Sequence, residues 1–320
     1  WFRPAPERTA RSRRRGDGAA GDGSATVAAV HAQVSIAAAQ EAVAAAVPDR
    51  DCLVWRGTTW SWRSFTERTR RFASVLVAEG LGVRRDPAAC ANWESPHDHV
   101  ALYLHNGNEY VEAMLGAFKA RCAPVNINYR YVAEELRYVL ADAAVSAVVV
   151  HSTFTPVLAE ALEGSDLRPV VLQVADDSGL GLLPGARWYE DVLAAASPEL
   201  PAYLVAAWTP DDLYILYTGG TTGMPKGVLW RQGDFVEAAL GIARPPEELA
   251  AAAPRSTLRA LPAAPFMHGA AHWNALSAWL GGGTVVVQDR PATLDAPDVW
   301  STCERERVTA LQIVGGAAAV

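Results

Sequence analysis

From about Ser35 the chain settles into an alternation of two hydrophobic rhythms. Runs with apolar residues three and four apart predict helices over Ser35 to Val47, Trp62 to Glu79, Glu109 to Arg121, Val132 to Ala141 and Pro156 to Leu162. In the second of these, Phe65, Phe72, Leu76 and Val77 share a face, and Gly80 stands at its end. Between them, short apolar or β-branched runs predict strands at Asp51 to Arg56, Val100 to Leu104, Ala123 to Ile127, Val145 to Val150 and Pro169 to Val174. Arg84 to His97 and 175–210 lack a period; the first predicts a surface loop and the second a mobile connector with one helix near Tyr189 to Ala195. Further on, the pattern predicts helices over Asp234 to Ile242 and about Pro297 to Arg305, and strands at Leu258 to Leu261, Thr284 to Gln288 and Val308 to Val314. Residues 244–256, with Pro245-Pro246 and an alanine run, read as a variable insertion. Strands separated by helices of this length predict an α/β fold, mostly parallel and helix-covered from about residue 98 onward.

One stretch breaks both rhythms. Asp211 to Tyr217 alternates like a buried strand, and then Thr218-Gly219-Gly220-Thr221-Thr222-Gly223-Met224-Pro225-Lys226-Gly227 packs four glycines, three threonines, a proline and a lysine into ten residues. Glycines let backbone N–H groups converge and leave room for a bulky anion, hydroxyls add donors, and the lysine adds charge, which together suit a polyphosphate. A glycine-rich hairpin with an incidental lysine is the bland alternative. The spacing is wrong for a Walker loop, because Pro225 precedes Lys226 and Gly227-Val228 follow it, and the kinase Gly-x-Gly-x-x-Gly is missing. A P-loop ATPase or kinase is therefore disfavoured, and 218–227 is predicted to join two strands.

Composition narrows the class of partner. The 320 residues are 50% hydrophobic and 20% charged, and the net charge is −7. The first fifteen residues hold six arginines and one glutamate, +5, so the remainder carries about −12, which argues against nucleic acid or an anionic membrane as main partner. The Arg/Gly/Ala-rich segment 1–30 is expected to be a disordered tail, and the start at Trp1 suggests that the true start lies elsewhere. No apolar run reaches the eighteen residues of a membrane span. Cys52, Cys90, Cys122 and Cys303 are widely spaced and read as reduced thiols of a cytoplasmic protein.

The loop from Tyr217 to Val228 resembles the signature of the adenylate-forming (AMP-binding) superfamily, with Gly219 where many members have serine. Asn106-Gly107-Asn108-Glu109-Tyr110 and Pro124 to Tyr131 look like segments of its acyl-CoA synthetases, although by themselves their asparagines read as strand ends and helix caps and their tyrosines as core. Pro262 to Gly269, a strand end running into an aromatic, a histidine and a glycine, is similar to the segment that lines the family's carboxylate pocket. The resemblance spans Ser35 to Val314 and implies that 31–320 is an incomplete N-terminal adenylation domain without the small C-terminal lid domain.

What the resemblance implies is an AMP-forming acid–CoA ligase of fatty-acid metabolism. A carboxylic acid and ATP give an acyl-adenylate, and CoA then takes the acyl group. Thr218, Gly219, Gly220, Thr221, Thr222, Gly223 and Lys226 would cradle the β- and γ-phosphates. Phe266, Met267 and His268 would face the acyl group, with His268 beside the attacking carboxylate and Gly269 opening a helix, while His272 would be structural. Mg²⁺ would have its main ligand beyond Val320. Amino-acid-activating members carry an aspartate at the corresponding segment, and Leu261 to Ala275 holds no acidic residue, so a fatty or other apolar acid is expected. A truncated fragment with residual phosphate binding is the alternative, and the chain alone is expected to form no acyl-adenylate.

Overall fold

The regular pattern resolves into helices and strands that follow one another closely. In chain order they are α1 (Ile36–Ala46), β1 (Asp51–Trp55), β2 (Thr58–Ser61), α2 (Trp62–Ala78), β3 (His99–Tyr103), α3 (Asn108–Lys119), β4 (Ala123–Asn126), α4 (Ala133–Asp142), β5 (Val145–His151), α5 (Thr155–Leu162) and β6 (Val170–Val174). The second half adds β7 (Arg187–Trp188), α6 (Tyr189–Ala195), α7 (Ala202–Ala206), β8 (Leu213–Thr218), β9 (Lys226–Arg231), α8 (Gln232–Ala238), α9 (Pro246–Ala252), β10 (Arg259–Pro262), α10 (Gly269–Leu280), β11 (Thr284–Val286), α11 (Ala296–Arg305) and β12 (Ala310–Gln312). The structure is a computed structural model that describes residues 34–219 and 223–314. The tail 1–30, the loop residues Gly220, Thr221 and Thr222, and the end from Gly315 lie outside the described residues.

The strands form two sheets, mostly parallel and covered by helices, as the strand–helix alternation predicts. The larger has the order β7-β6-β5-β3-β4-β8-β9, and the smaller β12-β10-β11-β1-β2. All pairings are parallel except β1–β2 and β8–β9. Alternation along β8 shows how the layers stack: Leu213, Ile215 and Tyr217 join the core beneath α4 and α5, whereas Tyr214 and Leu216 join the core shared with α1, α2, α3 and α10. The smaller sheet closes the other side of that middle layer, with Val54, Leu261, Val286 and Val299 of α11 forming its outer core.

The helices between the two sheets bury several charged side chains, and two of these are paired across the layer. Lys119, fully buried on α3, meets Glu41 Oε1 of α1 at 2.5 Å and donates to Thr69 Oγ1 of α2 at 2.7 Å. Glu112 of α3, equally buried, accepts from Arg68 at 2.6 and 3.0 Å. An unpaired charge in such a layer would cost several kcal/mol. Along α2 the buried Trp62, Phe65, Thr69, Phe72 and Leu76 make the expected stripe, Ser61 caps its start, and Gly80 follows its end at φ +74.

Residues 244–256 are not a loose insertion. Within them α9 packs on α1, Leu249 and Ala253 are buried, and a Cβ at Gly282 would lie 2.5 Å from the Ala253 Cβ. The connector 175–210 likewise carries β7, α6 and α7, and β7 pairs with β6 at the edge of the larger sheet. No helix among the described residues is long and apolar enough to cross a membrane, and all four cysteines are free.

Candidate active site

Strand β8 and its hairpin partner β9 carry the glycine loop. Thr218 pairs with Lys226, so the lysine opens a strand and the segment 218–227 joins two strands, as the spacing predicts. The base of the hairpin is fixed on both sides. Arg121 grips the buried Asp212 at 2.8 and 3.1 Å, and Arg231 on β9 pairs with Asp211. Tyr217 and Gly227 face each other across the hairpin, and a Cβ at Gly227 would stand 2.7 Å from the Tyr217 ring. That ring reaches over the glycine so that its hydroxyl donates to Asp142 of α4 at 2.6 Å. At the tip the situation reverses: Gly219 and Gly223 have no atom of another described residue within 4 Å of a would-be Cβ. Thr218, Gly219, Gly223 and Lys226 are exposed, and no ion pair among the described residues holds Lys226. Gly220, Thr221 and Thr222 fall outside the described residues.

The second loop leaves β10 at Pro262 and enters α10 at Gly269. It is pinned by side chains from three other elements. Asn106, past the end of β3, donates to the Ala264 carbonyl at 2.9 Å and accepts from the Phe266 N–H at 2.6 Å. Asn126, the last residue of β4, donates to the Met267 carbonyl at 2.6 Å. His272 on α10 donates from Nδ1 to the Phe266 carbonyl at 2.6 Å, so its Nε2 accepts from the Tyr214 hydroxyl, which in turn accepts from Trp273 Nε1 at 2.9 Å. This fixes His272 as the neutral Nδ1–H tautomer, and burial pushes its pKa down to about 4. His272 is thus structural, as its position on the helix suggested.

Under these ties the loop's side chains separate. Phe266 is fully buried against the Tyr110 ring, 5.4 Å between centroids, and Met267 is buried beside it in sequence; neither lines the cavity beside His268. His268 turns outward, and its imidazole makes no cap bond to α10. Partial burial, and then the guanidinium of Arg130, hold its pKa below the usual histidine value. Gly269 opens α10, and a side chain there would press within 3.0 Å of Leu216 of β8.

His268 stands at the rim of a cavity of about 280 Å³ at the ends of β4, β10 and β12, the carboxyl-end crevice where α/β sheets hold ligands. Tyr129 and Arg130 form one wall, and Ala263, Ala264, Leu294 and Ile313 another. Its lining includes one cation, Arg130, and no carboxylate. A larger hollow of about 530 Å³ lies beside His97, His99 and Ala143, at the starts of β3 and β5, and lacks these features. Sequence reasoning read Asn106 and Asn126 as strand ends and helix caps and gave Arg130 no role; their position at or just past the carboxyl ends of parallel strands is the signal that marks them. Among the described residues no group of three or more His, Cys, Asp or Glu converges as a metal site.

Comparison with known proteins gives the arrangement its context. The chain is 44% identical over 296 residues to the medium-chain acyl-CoA ligase Mig of Mycobacterium avium, covering 89% of this chain and 53% of that protein. It is 31% identical over 289 residues to a 3-oxocholest-4-en-26-oate–CoA ligase of Rhodococcus rhodochrous, covering 85% and 48%. The chain thus spans about half the length of these relatives. Among solved structures, the N-terminal domain of FACL13 from Mycobacterium tuberculosis aligns at a TM-score of 0.67 with 24% identity, over 89% of this chain and 64% of that one. At that identity the likeness speaks for the fold, which is the N-terminal domain architecture of adenylate-forming ligases. Residues 40–318 match the family described as AMP-binding enzyme, a span that takes in both sheets, the glycine hairpin and the His268 loop, and so the chain belongs to that family.

Proposed function

We propose that this chain is the front part of an ATP-dependent acyl-CoA synthetase that activates an apolar carboxylic acid in the cytoplasm. The observation that carries the reading is the hairpin tip: Lys226 is exposed, with no ion pair among the described residues, beside glycines where no described atom occupies the space of a side chain. Residues 31–320 are read as the adenylation domain's N-terminal part. Thr218, Gly219, Gly220, Thr221, Thr222 and Gly223 would present donors to the β- and γ-phosphates of ATP, and Lys226 would neutralise their charge. Attack by the acid's carboxylate on the α-phosphorus forms the acyl–phosphate bond and expels pyrophosphate, so catalysis is placement plus charge stabilisation. His268 and Arg130 flank the carboxylate, with the imidazole neutral at pH 7 and the guanidinium supplying the charge. The thiol of CoA, the acceptor in the relatives' names, then displaces AMP from the acyl carbon.

Substrate class follows from the cavity wall. A lining without a carboxylate leaves an α-ammonium unpaired, which disfavours amino acids, whereas Ala263, Ala264, Leu294 and Ile313 suit an alkyl chain. The name of the Mycobacterium avium relative makes medium-chain acids the first class to try. The test is ATP–pyrophosphate exchange by the whole gene product. Octanoic and decanoic acids are expected to support exchange, free amino acids are not, and Lys226→Ala is expected to lower the rate about 100-fold, the loss of one charge-stabilising group. Robust exchange with an amino acid and none with fatty acids would sink the reading.

A further inference from the structure

The two loops of the site meet at one side chain. Asn126 ends β4 and is nearly buried. Its Nδ2 donates to the Tyr217 carbonyl at 2.9 Å and to the Met267 carbonyl at 2.6 Å, and its Oδ1 accepts from the Tyr217 N–H at 2.7 Å. Tyr217 is the residue before Thr218, where the glycine loop begins, and Met267 is the residue before His268. Both protons of one amide are therefore used to hold the root of the phosphate loop and the root of the histidine loop to the same atom.

We infer that Asn126 is a positioning residue that sets the spacing between the nucleotide's phosphates and the substrate carboxylate. The inference rests on the function proposed above. The backbone explains why a side chain is needed. Strands β4 and β8 share one ladder pair, Val125 with Ile215, and then the chain of β4 turns away. Tyr217 is left with an N–H and a carbonyl facing β4 and no backbone to meet them. A primary amide offers the complementary acceptor and donor from one side chain, and its second proton remains for Met267. Asparagine alone meets this need at that reach: aspartate has the shape but no donor, and serine has one proton. Asn106 makes a contrast, since its amide holds only the histidine loop, at Ala264 and Phe266.

Because each loop keeps other anchors, loss of Asn126 leaves two sites that bind but no longer face each other correctly. A misplacement of about 1 Å between reacting groups costs about 100-fold in rate. The experiment is steady-state ATP–pyrophosphate exchange with octanoic acid in the whole gene product, comparing wild type with Asn126→Asp and recording the folded fraction by circular dichroism. The expected result is a kcat about 100-fold lower per folded enzyme with KM for ATP and for the acid within about 3-fold of wild type. If Asn126→Asp does not fold, Asn126→Ser takes its place; it is expected to lose at least about 10-fold in kcat with the same small KM changes. A kcat per folded enzyme within 3-fold of wild type in the variant that folds overturns the inference, as does a loss carried by either KM. Absence of exchange in the wild type removes both the inference and the function beneath it, so the two failures are distinguishable.

Discussion

Of the 28 cationic side chains in this protein only two are lysines, and the fold puts them in opposite settings. Lys119 sits in the helical layer between the sheets, fully buried, with its ammonium on Glu41 and Thr69. Lys226 opens β9 at the sheet edge, exposed, with no ion pair among the described residues. Burial pushes the Lys119 ammonium down to about 8, with Glu41 pulling the other way. The contrast separates stability from chemistry. A compact ammonium in the middle layer completes a packed network, while the same group at the hairpin tip does nothing for packing. Arginine takes every other Lys/Arg position, so the two lysines share a chemistry and differ only in their setting.

The contrast breaks first at the lysines themselves. Lys119→Met leaves Glu41 buried with only Arg70 to answer it, and is expected to cost about 3 kcal/mol of unfolding free energy. Lys226→Met is expected to change stability by less than about 0.5 kcal/mol, as surface substitutions do. Urea unfolding of the two variants decides it. If Lys226→Met destabilises as much as Lys119→Met, the hairpin lysine is part of the packing and the division fails.

How far the sequence reveals this division depends on what is local. Most helices and strands from Ser35 to Val314 follow from apolar spacing, although β2, β7, α7 and α9 do not, and the hairpin follows from Pro225 and the glycines. Partner order does not follow: β1 pairs with β11 more than two hundred residues later, and nothing in either run names the other. In the 262–269 loop, residue types identified the segment but gave no side-chain direction, because a loop has no period. Phe266 and Met267 therefore turned out buried, while Ala263, Ala264, Pro265 and His268 line the cavity. Asn126 read as a strand end because the carbonyls it binds lie 91 and 141 residues away.

Acid should sharpen the contrast, since the histidines behind the site are held neutral by burial. His272 and His151 have pKa values pushed down to about 4, against 6.5 when unfolded. Between these values the unfolded chain binds protons that the folded chain does not, so stability falls as pH drops from about 6.5 to 4. Each histidine contributes up to about 3 kcal/mol to that fall. For His272 the cost is structural as well, because its Nε2 must accept from Tyr214 while Nδ1 holds Phe266. His272→Gln should therefore flatten the decline in Tm between pH 6.5 and 4.5 while lowering Tm at pH 7. A Tm profile parallel to wild type would show that His272 does not titrate in this way.

The smallest effects distinguish the two ends of the hairpin itself. At Gly227 a methyl group would meet the Tyr217 ring at 2.7 Å, and that ring is held by Asp142 below. The strand backbone there is ordinary, so the cost of Gly227→Ala is steric: the ring must shift and its hydroxyl bond must stretch or break. About 1–3 kcal/mol is expected, in the range of overpacking. At Gly223 no atom of another described residue lies within 4 Å of an added Cβ, and its φ is not in the left-handed region, so Gly223→Ala should alter stability by less than about 0.5 kcal/mol. The space at Gly223 matters only if an anion fills it, so the second measurement is pyrophosphate binding by calorimetry on both variants. Gly223→Ala is expected to weaken binding several-fold at unchanged Tm, and Gly227→Ala to lower Tm. If Gly223→Ala binds pyrophosphate as wild type does, the hairpin tip is not a phosphate cradle, and Lys226 loses its assigned partner.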